Sequence, residues 1–317
     1  MTMDVLDWIG GVIAQTARSM GDGTGFPIVF GTYMAMLAVE RIAYLFVDRD
    51  AWDEQDAWSN VRSALFNTAV QVVLTGGIFL GIYVFLYQHA RVFDVPFAWW
   101  GWALAFLLND LAYYTDHRIA HRVGFLWAIH TTHHSSREMN LLVSNRGTVL
   151  DLGGTMSPVY FLLPILGVPP AMFLAVKFFG NLWGIFNHTR LIKRMGVLED
   201  VLATPANHRV HHGTEPKYLD RNYGQTLIIW DRLFSSFQRE EEEPTYGLVT
   251  QMESHRLWDI HTWGVRQLIA QMRSADRWAD RLRYLVKPPG WSHDGNHTTT
   301  EAIVARGAPA MPMKEAR

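Results

Sequence analysis

The sequence has no cysteine among its 317 residues. Disulfides, iron–sulfur clusters and thiolate-ligated haem are therefore excluded. Any transition metal must be held by nitrogen and oxygen donors. Charge of one sign is also missing: 28 Lys and Arg stand against 30 Asp and Glu, for a formal net charge of −2. No basic field points to nucleic acid. Residues 1–20 do not read as a secretory signal, because they lack a basic n-region and carry Asp4 and Asp7. An interfacial amphipathic segment over residues 1–25 is the expectation there. No internal repeat appears, and no linker sets off a second domain.

Apolar and aromatic residues are plentiful: 49% of the chain is hydrophobic, with 13 Trp, 17 Phe and 11 Tyr. They concentrate in runs at residues 26–47, 68–87 and 97–114. At 1.5 Å per residue, each run can cross a hydrocarbon layer of ~30 Å. Trp99, Trp100 and Trp102 suit a membrane interface. A fourth region, 150–186, is split by Pro169 and Pro170 and reads as a helical hairpin. The expected fold is an all-α, multi-pass helical membrane protein; the alternative is a buried soluble bundle. Residues 26–291 form the expected embedded domain, and 292–317 a flexible tail. Counting passes puts Arg118, Arg122, Arg137, Arg146, Arg190, Lys193 and Arg194 on the cytoplasmic side of a bacterial inner membrane or endoplasmic reticulum.

Nine of the 14 histidines lie between His117 and His212. "HRIAH" spaces His117 and His121 at i and i+4. "HTTHH" places His130, His133 and His134 at i, i+3 and i+4, and "HRVHH" repeats this with His208, His211 and His212. On a helix each set shares a face. At about 4% histidine, roughly 0.03 His-x-x-His-His matches are expected by chance in this length, and two are present. Metal binding is the reading, with His188 as a ninth donor. One zinc takes three or four ligands, so two metals sharing the set is the economical count. Histidine suits iron, zinc, copper and nickel. Oxygen chemistry on a lipid chain favours iron, and zinc is not distinguished by the residues.

"DLAYYTDHRIAH", "WAIHTTHHSS", "FNHT", "TPANHRVHHG" and "RNYGQTLIIWDRLFSSF" occur in this order. Over about residues 110–249 they resemble the fatty acid hydroxylase/sterol desaturase superfamily of membrane di-iron enzymes. "DLAYY", "THHSS", "LIIWDR" and "YGL" look like its ether-lipid branch, the alkylglycerol monooxygenases. The resemblance implies a helical membrane part capped by a cytoplasmic two-iron centre. It implies hydroxylation or desaturation of a lipid with O2, with electrons from outside: tetrahydrobiopterin, or a ferredoxin- or cytochrome b5-type donor protein. The implied ligands are His117, His121, His130, His133, His134, His188, His208, His211 and His212. Two positions depart from the ether-lipid branch. Arg122 follows His121 where that branch has Glu, and Asn207 stands where it has a leading His.

Asp110 and Tyr114 precede His117 on about the same helical face. They are candidates for hydrogen bonds that orient ligand imidazoles, or else a polar packing pair. Asn187 and Asn207, beside ligands, are further candidates; capping is the alternative for Asn187. Asp116 reads as surface, "DRNYGQ" as a packed structural cap, and the acidic run from Glu240 to Glu243 as solvated. His255, His261, His293 and His297 lack the cluster spacing. Glu40 and Arg41 could pair or face the site. The rival functions are a sterol or lipid desaturase using the same site, and a histidine-rich metal carrier or zinc-dependent hydrolase.

Overall fold

The computed structural model describes residues 25–47, 52–73, 78–148 and 157–307, and among these the chain is helical with no β-strand. The helices are α1 Gly25–Val47, α2 Glu54–Val73, α3 Leu80–His89, α4 Trp99–Arg122, α5 Gly124–His130 and α6 Leu162–Ile165. They continue with α7 Pro170–Asn187, α8 Pro205–His211, α9 Ile229–Leu233, α10 Leu257–Ser274, α11 Trp278–Val286 and α12 Thr300–Ala305.

Two apolar clusters organise the chain. The first gathers Phe79, Tyr83, Ala105, Ala112, Tyr160, Met172 and Phe173 from α3, α4, α7 and the turn before α6. Tyr83 stacks on Phe173 with ring centroids 4.5 Å apart. The second joins Ala128 of α5, Leu268 of α10, Ala275 and Tyr284 of α11. Full burial of such side chains stabilises by roughly 1.5–3 kcal/mol each. Two glycines permit the cap to close. A Cβ at Gly124 would stand 2.1 Å from the Tyr284 carbonyl oxygen, and one at Gly264 would stand 2.2 Å from that of Ala128. Between the clusters, the C-terminal end of α4, all of α5, the end of α7 and α8 converge.

The Pro169–Pro170 break falls where its chemistry dictates. Pro169 caps α7 in extended conformation, and Pro170 opens the helix, where its missing N–H costs nothing. Other expectations are corrected. Among the described residues, no helix is long and apolar enough to cross a membrane. Helix α4 runs past the apolar stretch through Asp116, His117, Arg118 and His121. Of the 68–87 run, residues 68–73 lie in α2 and 80–87 in α3, which has 10 residues, and 74–77 lie outside the described residues. Glu40 and Arg41 interrupt the apolar run of α1, which continues as one helix through them, and they do not pair with each other. Glu40 is buried and accepts from the Leu141 N–H at 2.7 Å, while Arg41 reaches Glu54 at 2.6 Å.

The expected tail is folded as far as Gly307. Thr298 donates its N–H to the Gly290 carbonyl at 2.7 Å, and Glu301 of α12 pairs with Arg122. The expected interfacial segment lies outside the described residues except for its last residue, Gly25, and residues 308–317 lie outside them too.

Arg146, assigned to the cytoplasmic side by the count of passes, is 1% exposed at its side chain. It bonds to Asp56, Ser59, Asn60 and Ser135 at 2.7–3.1 Å. Such a buried charge is tolerated only when its donors are satisfied. Here the satisfied network fixes α2 against the loop that follows α5.

Candidate metal centre

The structure brings all nine predicted histidines together, in two groups. His117, His121, His130, His134 and His211 form one; His133, His188, His208 and His212 form the other. Within each group the ring nitrogens lie within 4.8 Å of one another. The His117–His121 motif stays in one group, but each His-x-x-His-His motif is shared between the two, contrary to the expectation that a motif faces one way. Residues four apart stay together: 117 with 121, 130 with 134, 208 with 212. The middle histidine of each His-x-x-His-His motif, His133 or His211, crosses over. Local structure explains this for the second motif. Helix α5 ends at His130, and His133–Ser135 is a 3-10 turn, which changes the direction of His133.

Several rings are oriented from behind. His117 Nδ1 lies 2.9 Å from the Tyr223 carbonyl oxygen, and His211 Nδ1 lies 2.9 Å from that of Arg221. His133 Nδ1 faces the Arg146 carbonyl at 3.3 Å, and His188 Nδ1 that of Gly184 at 2.7 Å. His121 Nδ1 meets a carboxylate, Asp220, at 3.5 Å. A carbonyl only accepts, so each facing Nδ1 carries the proton. The Nε2 atoms then present lone pairs inward.

These lone pairs meet. His133 and His188 hold their Nε2 atoms 3.2 Å apart although both rings donate through Nδ1. His188 and His208 bring theirs to 2.9 Å, His208 and His212 to 3.2 Å, and His117 and His130 to 3.1 Å. Donors ~2.0–2.1 Å from one metal stand roughly 2.9–3.4 Å apart. The Nε2 atoms of His121 and His211 are buried with no hydrogen-bond partner. Facing acceptors and orphaned nitrogens fit a metal ion in each group.

Burial, reinforced by neighbouring imidazoles, holds seven of the rings well below the usual histidine range: His117, His130, His134, His188, His208, His211 and His212. Burial pushes His133 down to about 4. Neutral imidazole is the metal-binding form.

The other candidates act one step further out. Asp110 reaches no imidazole: it accepts from the N–H groups of Thr226 and Leu227 and from the Trp230 indole at 2.9–3.1 Å. Tyr114 bonds to Ser236 and Arg118. Asn187 donates to the Gln225 carbonyl at 3.0 Å. Asn207 forms a reciprocal capping box with Thr204 that starts α8, and its carbonyl accepts from Asn222. Asp116 is half-buried rather than surface-exposed, near Ser157 and Lys177.

"DRNYGQ" supplies the acceptors behind three ligands. Backbone carbonyls carry no residue signature, and the positive φ at Asp220 and Asn222 is the one hint of special geometry. The acidic run is paired rather than merely solvated: Glu240 binds buried Arg209, and Glu243 binds Arg190 and Lys193. His261 and His255 stay outside the centre, near Ser63 and Asp56 respectively. A cavity of about 250 Å³ opens onto the centre, lined by His121, His134, His211 and His212 with Trp127 and Trp263. It leaves room for a small molecule beside the histidines.

Residues 102–236 match the fatty acid hydroxylase family. Alkylglycerol monooxygenase of Caenorhabditis elegans is 34% identical over 292 residues, covering 87% of this chain and 57% of that protein. The Homo sapiens alkylglycerol monooxygenase is 34% identical over 210 residues, 66% of this chain and 47% of that protein. The ornithine lipid hydroxylase OlsE of Rhizobium tropici is 30% identical over 142 residues, 43% of each chain. The chain thus spans about half the length of the relatives it matches. No solved structure matches it.

Proposed function

Residues 102–236 of the chain form a fatty acid hydroxylase domain, and from that premise we propose that the protein is a membrane-associated, two-iron oxidoreductase that hydroxylates a lipid with O2. The reading rests on the division of nine converging imidazoles into groups of five and four. Iron bound there supplies the activation of O2 needed to attack an unactivated C–H bond. One oxygen atom goes to the lipid and the other leaves as water, with two protons and two electrons. The chain holds no thiol, so the electrons come from outside, from tetrahydrobiopterin or a ferredoxin- or cytochrome b5-type protein. The protein's own part is positional. Its carbonyls fix ring tautomers, and burial favours the neutral form of His117, His130, His133, His134, His188, His208, His211 and His212.

The substrate is an alkyl or acyl chain, with ether lipids favoured by the alkylglycerol monooxygenases among the relatives. Membrane association is supported by apolar surface. On α11, Trp278, Leu282 and Val286 recur at every fourth residue and are 72%, 56% and 65% exposed. Arg277, Arg281 and Lys287 flank them, an arrangement suited to an anionic lipid surface.

Purified protein should contain two irons per chain and convert alkylglycerol or phospholipid mixtures to products heavier by one oxygen, labelled from isotopic O2. Products lighter by two hydrogens would identify a desaturase instead. Turnover without O2, or fewer than two metals, would overturn the proposal. His130→Ala and His208→Ala, one from each group, should each lower metal content toward one ion per chain and abolish turnover.

A further inference from the structure

Residues 220–223 serve three histidines of the same group. The Asp220 carboxylate lies 3.5 Å from His121 Nδ1, the Arg221 carbonyl 2.9 Å from His211 Nδ1, and the Tyr223 carbonyl 2.9 Å from His117 Nδ1. Asp220 and Asn222, on either side of Arg221, both have φ near 55°, in the left-handed region. Such backbone persists only when its surroundings hold it. The holding is visible. Asp231 accepts from the Tyr223 and Gly224 N–H groups, each at 2.8 Å. Asn222 donates to the carbonyls of Asn207 and Gln238 and accepts from the Gln238 N–H.

The two groups differ in what stands behind them. The four-histidine group is backed by neutral carbonyls, those of Arg146 and Gly184. Among the described residues, Asp220 is the only carboxylate at ion-pair distance from any of the nine rings. Its second oxygen accepts from Arg122 at 2.9 Å, and Arg122 in turn pairs with Glu301 of α12. Helix α12 therefore reaches a ligand through a chain of charges, and it lies beyond the hydroxylase domain.

We propose that residues 220–223 form the template that orients the five-histidine half. Within it Asp220, braced by Arg122 and Glu301, is a positioning residue that makes this half a stronger donor set than the other. A carboxylate behind an imidazole fixes the ring and raises its basicity, and losing such a partner typically weakens metal binding about 10- to 100-fold. This inference rests on the two-metal reading above.

The test uses the full chain loaded with isotopically enriched iron. Asp220→Asn keeps the size and suits the left-handed backbone, while removing the charge. One of the two irons should then be lost to chelator at about 10- to 100-fold lower concentration, the second being unaffected. One Mössbauer doublet of the resting centre should change and the other stay. Asp220→Glu should restore part of the difference. Glu301→Gln, exposed and distant from the metals, should move the same iron in the same direction by less. Equal effects on both irons, or none in either Asp220→Asn or Glu301→Gln, would overturn the inference. Should Asp220→Asn fail to fold, Glu301→Gln alone decides. A wild-type chain that binds fewer than two irons would instead overturn the two-metal reading.

Discussion

Arg209 sits between two ligands, one residue after His208 and two before His211. It is 1% exposed and saturated with acceptors. Its guanidinium makes two 2.6 Å bonds to Glu240 and reaches the carbonyls of Thr189, Ile192 and Lys193. Helix α8 is thereby tied to the segment just after His188, so ligands distant in sequence share one brace. Arg209→Ala would leave a nearly buried carboxylate and three carbonyls without their partner. Breaking a pair of this kind costs about 3–5 kcal/mol. The expected result is a thermal or denaturant midpoint lowered accordingly, with Arg209→Lys between the two because lysine keeps the charge but not the planar fork. A loss below about 1 kcal/mol in the alanine variant would show that the brace is dispensable.

At the scale of elements, the spacing rules picked out the nine histidines that converge but not their division into two groups. Residues three and four apart share a face only while the helix continues, and α5 stops at His130. The nine histidines were legible because imidazole is chemically distinctive. The groups that orient them are mostly main-chain carbonyls and left no trace in the sequence. Asn207 illustrates the same limit, since its departure from the expected histidine becomes a helix cap. Apolar runs were legible as helices and not as spans, because α4 carries its histidines on the same rod as its tryptophans. The exposed stripe of α11 can be tested directly, since the chain has no cysteine to mutate first. Leu282→Cys carrying an environment-sensitive fluorophore should shift to the blue when anionic vesicles are added. A label at Asp280, which is on another face and buried, should shift less. An unchanged spectrum at residue 282 would remove α11 from the membrane-facing surface.

For the whole molecule, the centre joins chain segments that the two apolar clusters leave separate. The cluster around Tyr83 and Phe173 belongs to α3, α4, α6 and α7, and the cluster around Tyr284 to α5, α10 and α11. Helix α8 brings His208 and His211, with His212 at its C-cap, between them with little apolar burial of its own beyond Ala206 and Val210. Without metal, the lone pairs of His133 and His188 face each other at 3.2 Å, which repels rather than binds. Ions bound between these groups would therefore stabilise the native arrangement. A ligand present at 100 times its dissociation constant adds about 2.7 kcal/mol, and each kcal/mol moves the midpoint of a domain this large by about 2–4 °C. Removing both ions with chelator should lower the melting midpoint by about 10 °C or more. Hydrogen exchange should rise first in α8 and residues 220–223, while the Tyr83–Phe173 cluster stays protected. Adding iron back should reverse both changes. A melting curve that is indifferent to the loss of two measured ions would mean that the histidines are held in place by the fold alone.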